Sequence, residues 1–255
     1  HSGQERERRV SRKWIQRLKK ALWIAEKDAR IYFFKGPNLT FGLFLPLVLY
    51  WAFTLDRDVD LTQAVPGLVA IAIFFGAGAI QAVSLPLERR TGTMHTLLAT
   101  PITPSVIVLG KTLAGVVFGM VLASIYGAAV ILLTPLHPHL SLFVLAAVFS
   151  SFCFSGFGLC LAAPFRSVPQ AMPPATVVRI LIIFLSGAFT PLKDVLTWRL
   201  IAARLLPLPY ALDALGQAIN GPIDAWEYVI ALGVLLLYGV AFLGVTRWIL
   251  RRQEI

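Results

Sequence analysis

Two long apolar runs, residues 64–86 and 105–133, flank a short polar island, Leu87-Glu88-Arg89-Arg90-Thr91-Gly92-Thr93-Met94-His95-Thr96-Leu97-Leu98-Ala99-Thr100-Pro101-Ile102-Thr103-Pro104. About 20 apolar residues cross a bilayer as a helix, so each run is long enough to span one and the chain is built to fold in lipid. The island itself reads as a small helix. Thr91 or Thr93 can cap its start, Gly92 loosens the entry and Pro101 stops it. Met94, Leu97 and Leu98 fall at i, i+3 and i+4 and give it one apolar stripe. A helix of two turns is marginal alone in water, so the island is expected to dock on a partner.

Composition agrees with a membrane protein. The 255 residues are 57% hydrophobic and 14% charged, with mean hydropathy +0.75, whereas soluble domains carry about 25% charged residues. The net charge of +10 does not point to nucleic acid, because its distribution is that of a topology signal. Eleven of the 23 Lys and Arg precede Asn38, beside the first span. His1-Ser2-Gly3 reads as a tag remnant, and no cleavable signal peptide is expected. Cys153 and Cys160 share one span about 10.5 Å apart along its axis, beyond disulfide reach, and read as packing residues.

Taken in order, residues 1–37 form a cytoplasmic tail and an amphipathic helix. Ile15, Leu18, Leu22, Ala25, Ala29 and Tyr32 share one face with Trp14 and Ala21, and Arg12, Lys13, Arg17, Lys20, Lys27 and Arg30 cover much of the rest. Such a helix lies in the headgroup plane, with calmodulin-like partner binding as the competing reading. Asn38 can cap the next helix, and residues 38–255 form the membrane domain. Its spans are expected at about 39–55 (with a kink at Pro46), 64–86, 105–133, 140–163, 170–189 and 226–250. Residues 190–222 are too apolar for a solvated loop and too rich in proline to cross. Two short helices dipping into the outer leaflet, about 192–206 and 210–219, would satisfy the backbone there. With both termini inside, 17 cations fall on the inner side and four on the outer. The fold class is therefore all-α, a polytopic membrane protein with six transmembrane helices and a re-entrant segment between the last two.

Glu-Arg-Arg-x-Gly-Thr followed by Leu-Leu-Ala-Thr-Pro-Ile resembles the first cytoplasmic loop of type-2 ABC transporter permeases. Residues 184–192 and 206–215 look like that family's segment after span 5, although Leu206, Pro209 and Gly216 stand where the family often has Asn, Thr and Arg. The resemblance implies that residues 88–103 are a coupling helix seated on an ATP-binding subunit, with Glu88, Gly92, Thr93, Leu97, Leu98 and Pro101 matching its pattern and Met94 added by the stripe. It implies a connecting helix at the N-terminus that also touches the ATPase. It further implies two ATP-binding cassette subunits, a second permease copy (a homodimer), surrounding lipid, and ATP and Mg held by the partner rather than by this chain. The location implied is the plasma or inner membrane.

The residues offer little independent chemistry. Gly110-Lys111-Thr112 lacks the glycine a phosphate loop needs five residues before its last Gly, since Ser105 stands there. Lys111 reads instead as a cation snorkelling to the inner interface. No metal ligand cluster, H-E-x-x-H or Ser-His pair falls within the spans, so no catalytic residue is expected. Gly115, Gly119, Ala123 and Gly127 form a small-residue ridge, read as packing within the chain in preference to a dimer seam. Arg179 is a charge inside span 5, and either lines the inward mouth to meet a polar or anionic substrate group or snorkels to the headgroups. Phe44 and Trp51 are candidate pathway residues. Tyr50, Phe53, Phe74 and Phe75 are further aromatics that could stack on sugars. The expected function is export of a hydrophobic or amphipathic small molecule or lipid. The alternatives are a polysaccharide or glycolipid exporter and a non-transporting membrane scaffold for an ATPase.

Overall fold

A computed structural model describes residues 2–34, 36–54, 61–93, 103–188 and 197–253. Every regular element among them is helical: α1 (Ser2–Tyr32), α2 (Gly36–Leu39), a π-helical turn (Thr40–Phe44), α3 (Leu45–Thr54), α4 (Leu61–Arg90), α5 (Pro104–Leu133), α6 (Leu140–Ala162), α7 (Val168–Ser186), α8 (Thr197–Arg204), α9 (Pro207–Asn220) and α10 (Ala225–Gln253). Five helices among the described residues are long and apolar enough to cross a membrane: α4 from Val65 onward, α5, α6, α7 and most of α10.

The expected first span is helical from Gly36 to Thr54, with a π-helical turn inside it. It is divided between α2, the π turn and α3. Pro46 has no N–H for the carbonyl four residues back, and the helix widens just before it. The Tyr126 hydroxyl of α5 donates to Leu43 O at 2.6 Å within the widened turn. The described residues therefore hold five long spans and one helical stretch widened by the π turn, against the six transmembrane helices expected, the first with a kink at Pro46.

The bundle is arranged around α4. Its apolar window is 94% buried, against 28% for α7 and for α10. Small residues make this enclosure possible. A Cβ at Gly76 would lie 1.9 Å from Leu122 Cδ1 of α5, so only glycine allows α5 to pack that closely. Nearer the N-terminal half of α4, Phe74 meets Phe154 of α6 edge-on at 4.8 Å and stacks on Phe157 at 5.7 Å. Phe74 and Phe75 are thus core residues with no surface to offer a sugar.

α1 docks along the first turns of α5. Its buried stripe is Ala21, Ile24, Ala25, Asp28 and Tyr32, whereas Ile15, Leu18 and Leu22 are exposed. The docked face keeps Ala21, Ala25 and Tyr32 of the one expected, turns Ile15, Leu18 and Leu22 outward, and includes an acid. Gly110 permits the approach, since a Cβ there would stand 2.7 Å from Ala21 O and from Ile24 Cβ. The Asn38 amide donates to Tyr32 O at 2.7 Å, so it closes α1 instead of capping the next helix.

In the segment expected to be re-entrant, α8 and α9 are the described helices. α9 buries Leu208, Ala211, Ala214, Leu215 and Ala218. His139 N donates to Ala218 O at 2.8 Å, fastening α9 to the turn before α6. A cavity of about 400 Å³ opens among α8, α9 and α10, lined in part by Arg204, Tyr210, Asp213 and Glu227.

Candidate functional site: the polar end of α4

The sequence places Glu88 at the start of a separate coupling helix. In the structure α4 continues through Arg90, so Leu87 to Arg90 are its last turn. Thr91 then closes the helix: its N–H and its hydroxyl both donate to Leu87 O, at 2.9 and 3.0 Å. It satisfies the end of α4. Gly92 has φ +76°, the left-handed conformation that ends helices and that only glycine adopts without cost. Thr93 Oγ1 lies 3.0 Å from Thr91 Oγ1. Met94, Leu97, Leu98 and Pro101 lie outside the described residues.

Glu88 is 1% exposed and turned into its own chain. Lys27 of α1 donates to its Oε1. Lys111 Nζ of α5 lies 2.8 Å from its Oε2, an ion pair without hydrogen-bond alignment. Lys111 also donates to Asp28 Oδ2 at 3.0 Å, and Lys27 lies 3.3 Å from Asp28 Oδ1. Two cations and two carboxylates from three helices thus close a neutral knot. Lys111, expected to snorkel, is fully buried within it. Burying any one of these charges alone would be costly; balanced and in contact, they are tolerable. Burial is the strongest influence on Asp28 and lifts its carboxyl above the usual range, with Lys111 pulling the other way. Burial also pushes the nearby Tyr32 phenol up to about 12, helped by the carboxylates of Glu88 and Asp28.

The knot continues along one face of α4. Lys111 Nζ donates to Ser84 Oγ at 3.4 Å, and Ser84 Oγ to Gln81 Oε1 at 3.4 Å. Gln81 Nε2 donates to Lys111 O at 2.5 Å and to Ser155 Oγ at 3.2 Å, and Ser155 Oγ donates to Thr112 O at 3.0 Å. Beside the knot, Arg89 Nη1 donates to Ala163 O at 2.6 Å and Phe165 O at 2.9 Å, tying α4 to the C-terminal end of α6. Sequence reasoning does not single out Lys27, Asp28, Gln81, Ser84, Arg89 or Ser155 as members of a site. The one available signal is the spacing 81, 84, 88 of polar residues at helical period in an apolar run.

The small-residue ridge of α5 faces α4 and α6. A Cβ at Gly115 would stand 2.1 Å from Ser155 Oγ, and one at Gly119 2.4 Å from Ser151 Oγ. Ala123 is buried, and Gly127 sits under the Phe143 ring. Arg179 is 2% exposed and packs against Gly78 of α4, so it does not snorkel. Phe44 and Trp51 are 57% and 67% exposed, on the outside of the widened stretch. Arg179 and these two aromatics are therefore not brought together on one surface of this chain.

The family model described as ABC-2 type transporter matches residues 29–220, three quarters of the chain, taking in Glu88 and Lys111 of the knot and beginning just after Lys27 and Asp28. The chain belongs to the ABC-2 type transporter family. It is a multi-pass membrane protein of the ABC permease class. Among curated proteins it is similar to the probable multidrug ABC transporter permease YbhR of Escherichia coli K12, 29% identical over 136 residues. That alignment covers 52% of this chain and 37% of the relative. The protein of the same name in Escherichia coli O157:H7 matches to the same extent. The chain thus spans a little over a third of the length of these ABC-2 relatives.

Proposed function

We propose that the chain is the membrane subunit of an ABC exporter that moves a hydrophobic or amphipathic small molecule or lipid out of the cytoplasm. ATP and Mg bind a separate cassette subunit, present in two copies and joined to two copies of the permease. Both termini and the 88–103 island lie on the cytoplasmic side of the plasma or inner membrane. The observation that carries this reading is the knot of Lys27, Asp28, Glu88 and Lys111. It fastens α1, α4 and α5 at the base of the island. A push on Gly92 to Pro101 from a closing ATPase pair is then passed to three helices together, as rigid-body alternating access requires. Glu88 acts in this scheme as a positioning residue behind the island, and Met94, Leu97 and Leu98 form the apolar contact with the partner. Phe44 and Trp51, exposed on their own chain, line a pathway between two copies in this reading. The YbhR relatives are named as probable multidrug permeases, which supports a drug-like small-molecule substrate here.

The test is reconstitution with an ATP-binding subunit in proteoliposomes, following ATP-driven export of a lipophilic fluorescent dye. Leu97→Asp should release the ATPase and abolish export while leaving the permease folded. Normal co-purification and export by that variant would remove the island from the coupling role. Labelling of a cysteine at position 97 only from the external face of intact cells would reverse the orientation.

A further inference from the structure

Arg179 stands twelfth of the nineteen residues of α7, about 16 Å from its start at 1.5 Å per residue, halfway through a hydrocarbon core about 30 Å thick. Its Nε and Nη2 have no hydrogen-bond partner among the described residues. No countercharge is at hand among them either. The sequences of α6, α7 and α8 contain no Asp or Glu, and the acid of α4, Glu88, lies ten residues beyond Gly78 and belongs to the knot. The contact at Gly78 has been kept free of side chains: a Cβ there would stand 2.8 Å from Nη2. Gly158 of α6 thins the same crossing, since its Cβ would lie 2.5 Å from Gly78 O. An uncompensated guanidinium at this depth destabilises the fold, so its presence calls for a partner beyond the described residues.

The geometry of the unused donors says what that partner is. Nε and Nη2 form the side-on edge of the guanidinium, two parallel N–H groups spaced to meet both oxygens of one carboxylate. We infer that Arg179 is the anchor for the carboxylate of an amphipathic substrate, received on this edge as α7 separates from α4. α7 is suited to that movement, because little of it is buried against the bundle. The inference rests on the export reading and narrows its substrate class to amphiphiles bearing a single carboxylate.

The test needs neither ATP nor the ATP-binding subunit, so its failure leaves the export reading standing. The full chain in nanodiscs is given radiolabelled dodecanoate, and unlabelled dodecanoate, dodecanol and dodecyltrimethylammonium compete. Dodecanoate should compete about tenfold better than the other two, the worth of a charge-assisted pair of hydrogen bonds. Arg179→Met should lose that preference, and Arg179→Lys should keep part of it. In empty nanodiscs Arg179→Met should unfold at a temperature no lower than the parent, because it removes a charge that nothing described in the chain pairs. Equal competition by the alcohol, an undiminished preference in Arg179→Met, or a marked drop in its unfolding temperature would each overturn the assignment, the last by making the guanidinium a structural group.

Discussion

Lys111 Nζ of α5 and Glu88 Oε2 of α4 lie 2.8 Å apart, with 1% of either side chain exposed. Each also has a second opposite charge, Asp28 for the lysine and Lys27 for the glutamate. The four groups therefore stand or fall together. Glu88→Gln and Lys111→Met should each cost about 3–5 kcal/mol, since each leaves a buried charge uncompensated. The double variant restores neutrality, with Lys27 and Asp28 still paired, and should cost clearly less than the sum. Unfolding in detergent measures all three, and additive costs would show that the groups are independent.

Asp28 gives the knot a pH signature. Its carboxyl binds a proton more tightly when folded than when unfolded. Its contribution to stability is therefore complete below the ordinary value of 3.8 and is lost as pH rises through the raised one. The unfolding temperature of the parent minus that of Asp28→Asn should be greatest near the ordinary value and shrink toward neutral pH. A difference that grows with pH would mean that the two lysines hold the carboxylate more strongly than burial opposes it.

Gly115 should tolerate no side chain while Ser155 is present. Gly115→Ala brings a Cβ to 2.1 Å from Ser155 Oγ and 2.7 Å from its Cβ, an overpacking worth about 1–3 kcal/mol. Ser155→Gly in the same chain should recover much of the loss. Gly127→Ala meets the edge of the Phe143 ring at 2.9 Å and should cost less, because a ring edge can turn aside. Unfolding temperatures of these variants decide it.

Arg89 should be replaceable by neither alanine nor lysine without loss. Its Nη1 serves two carbonyls at the end of α6. Arg89→Ala leaves those acceptors without this donor, at a cost of about 1–3 kcal/mol. Arg89→Lys should recover only part, since an ammonium lacks the fixed planar geometry. Protease accessibility of the turn around Arg166 reports the loosening directly.

The membrane character of the chain, the positions of α4 to α7 and α10, and the strangeness of residues 87–104 are all legible from apolar run length and turn residues. The fate of individual charges is not. Lys111 looks like a snorkelling cation because its partners, Asp28 and Glu88, stand 83 and 23 residues away in sequence. Only the docking of α1 on α5 through Gly110 brings Asp28 within reach. Glu88 looks like an outward contact for the related reason that nothing local tells where α4 stops. Thr91 has the residue type of an N-cap, yet it closes the preceding helix because its hydroxyl finds Leu87 O first. Arg179 is recognisable as unusual, but the absence of a countercharge in its described surroundings is a fact of packing, and periodicity carries no trace of it.

The enclosure of α4 has a mechanical consequence. A rod gripped on every side cannot lean by itself. Displacing Arg90 at the membrane surface must carry Leu122 and Phe154 with it, since each presses on α4 or on a glycine that α4 provides for it. Force arriving at the rim is thus felt at mid-bilayer without any intermediate flexible part, and the permease would respond to a push more like meshed gears than like a bending reed.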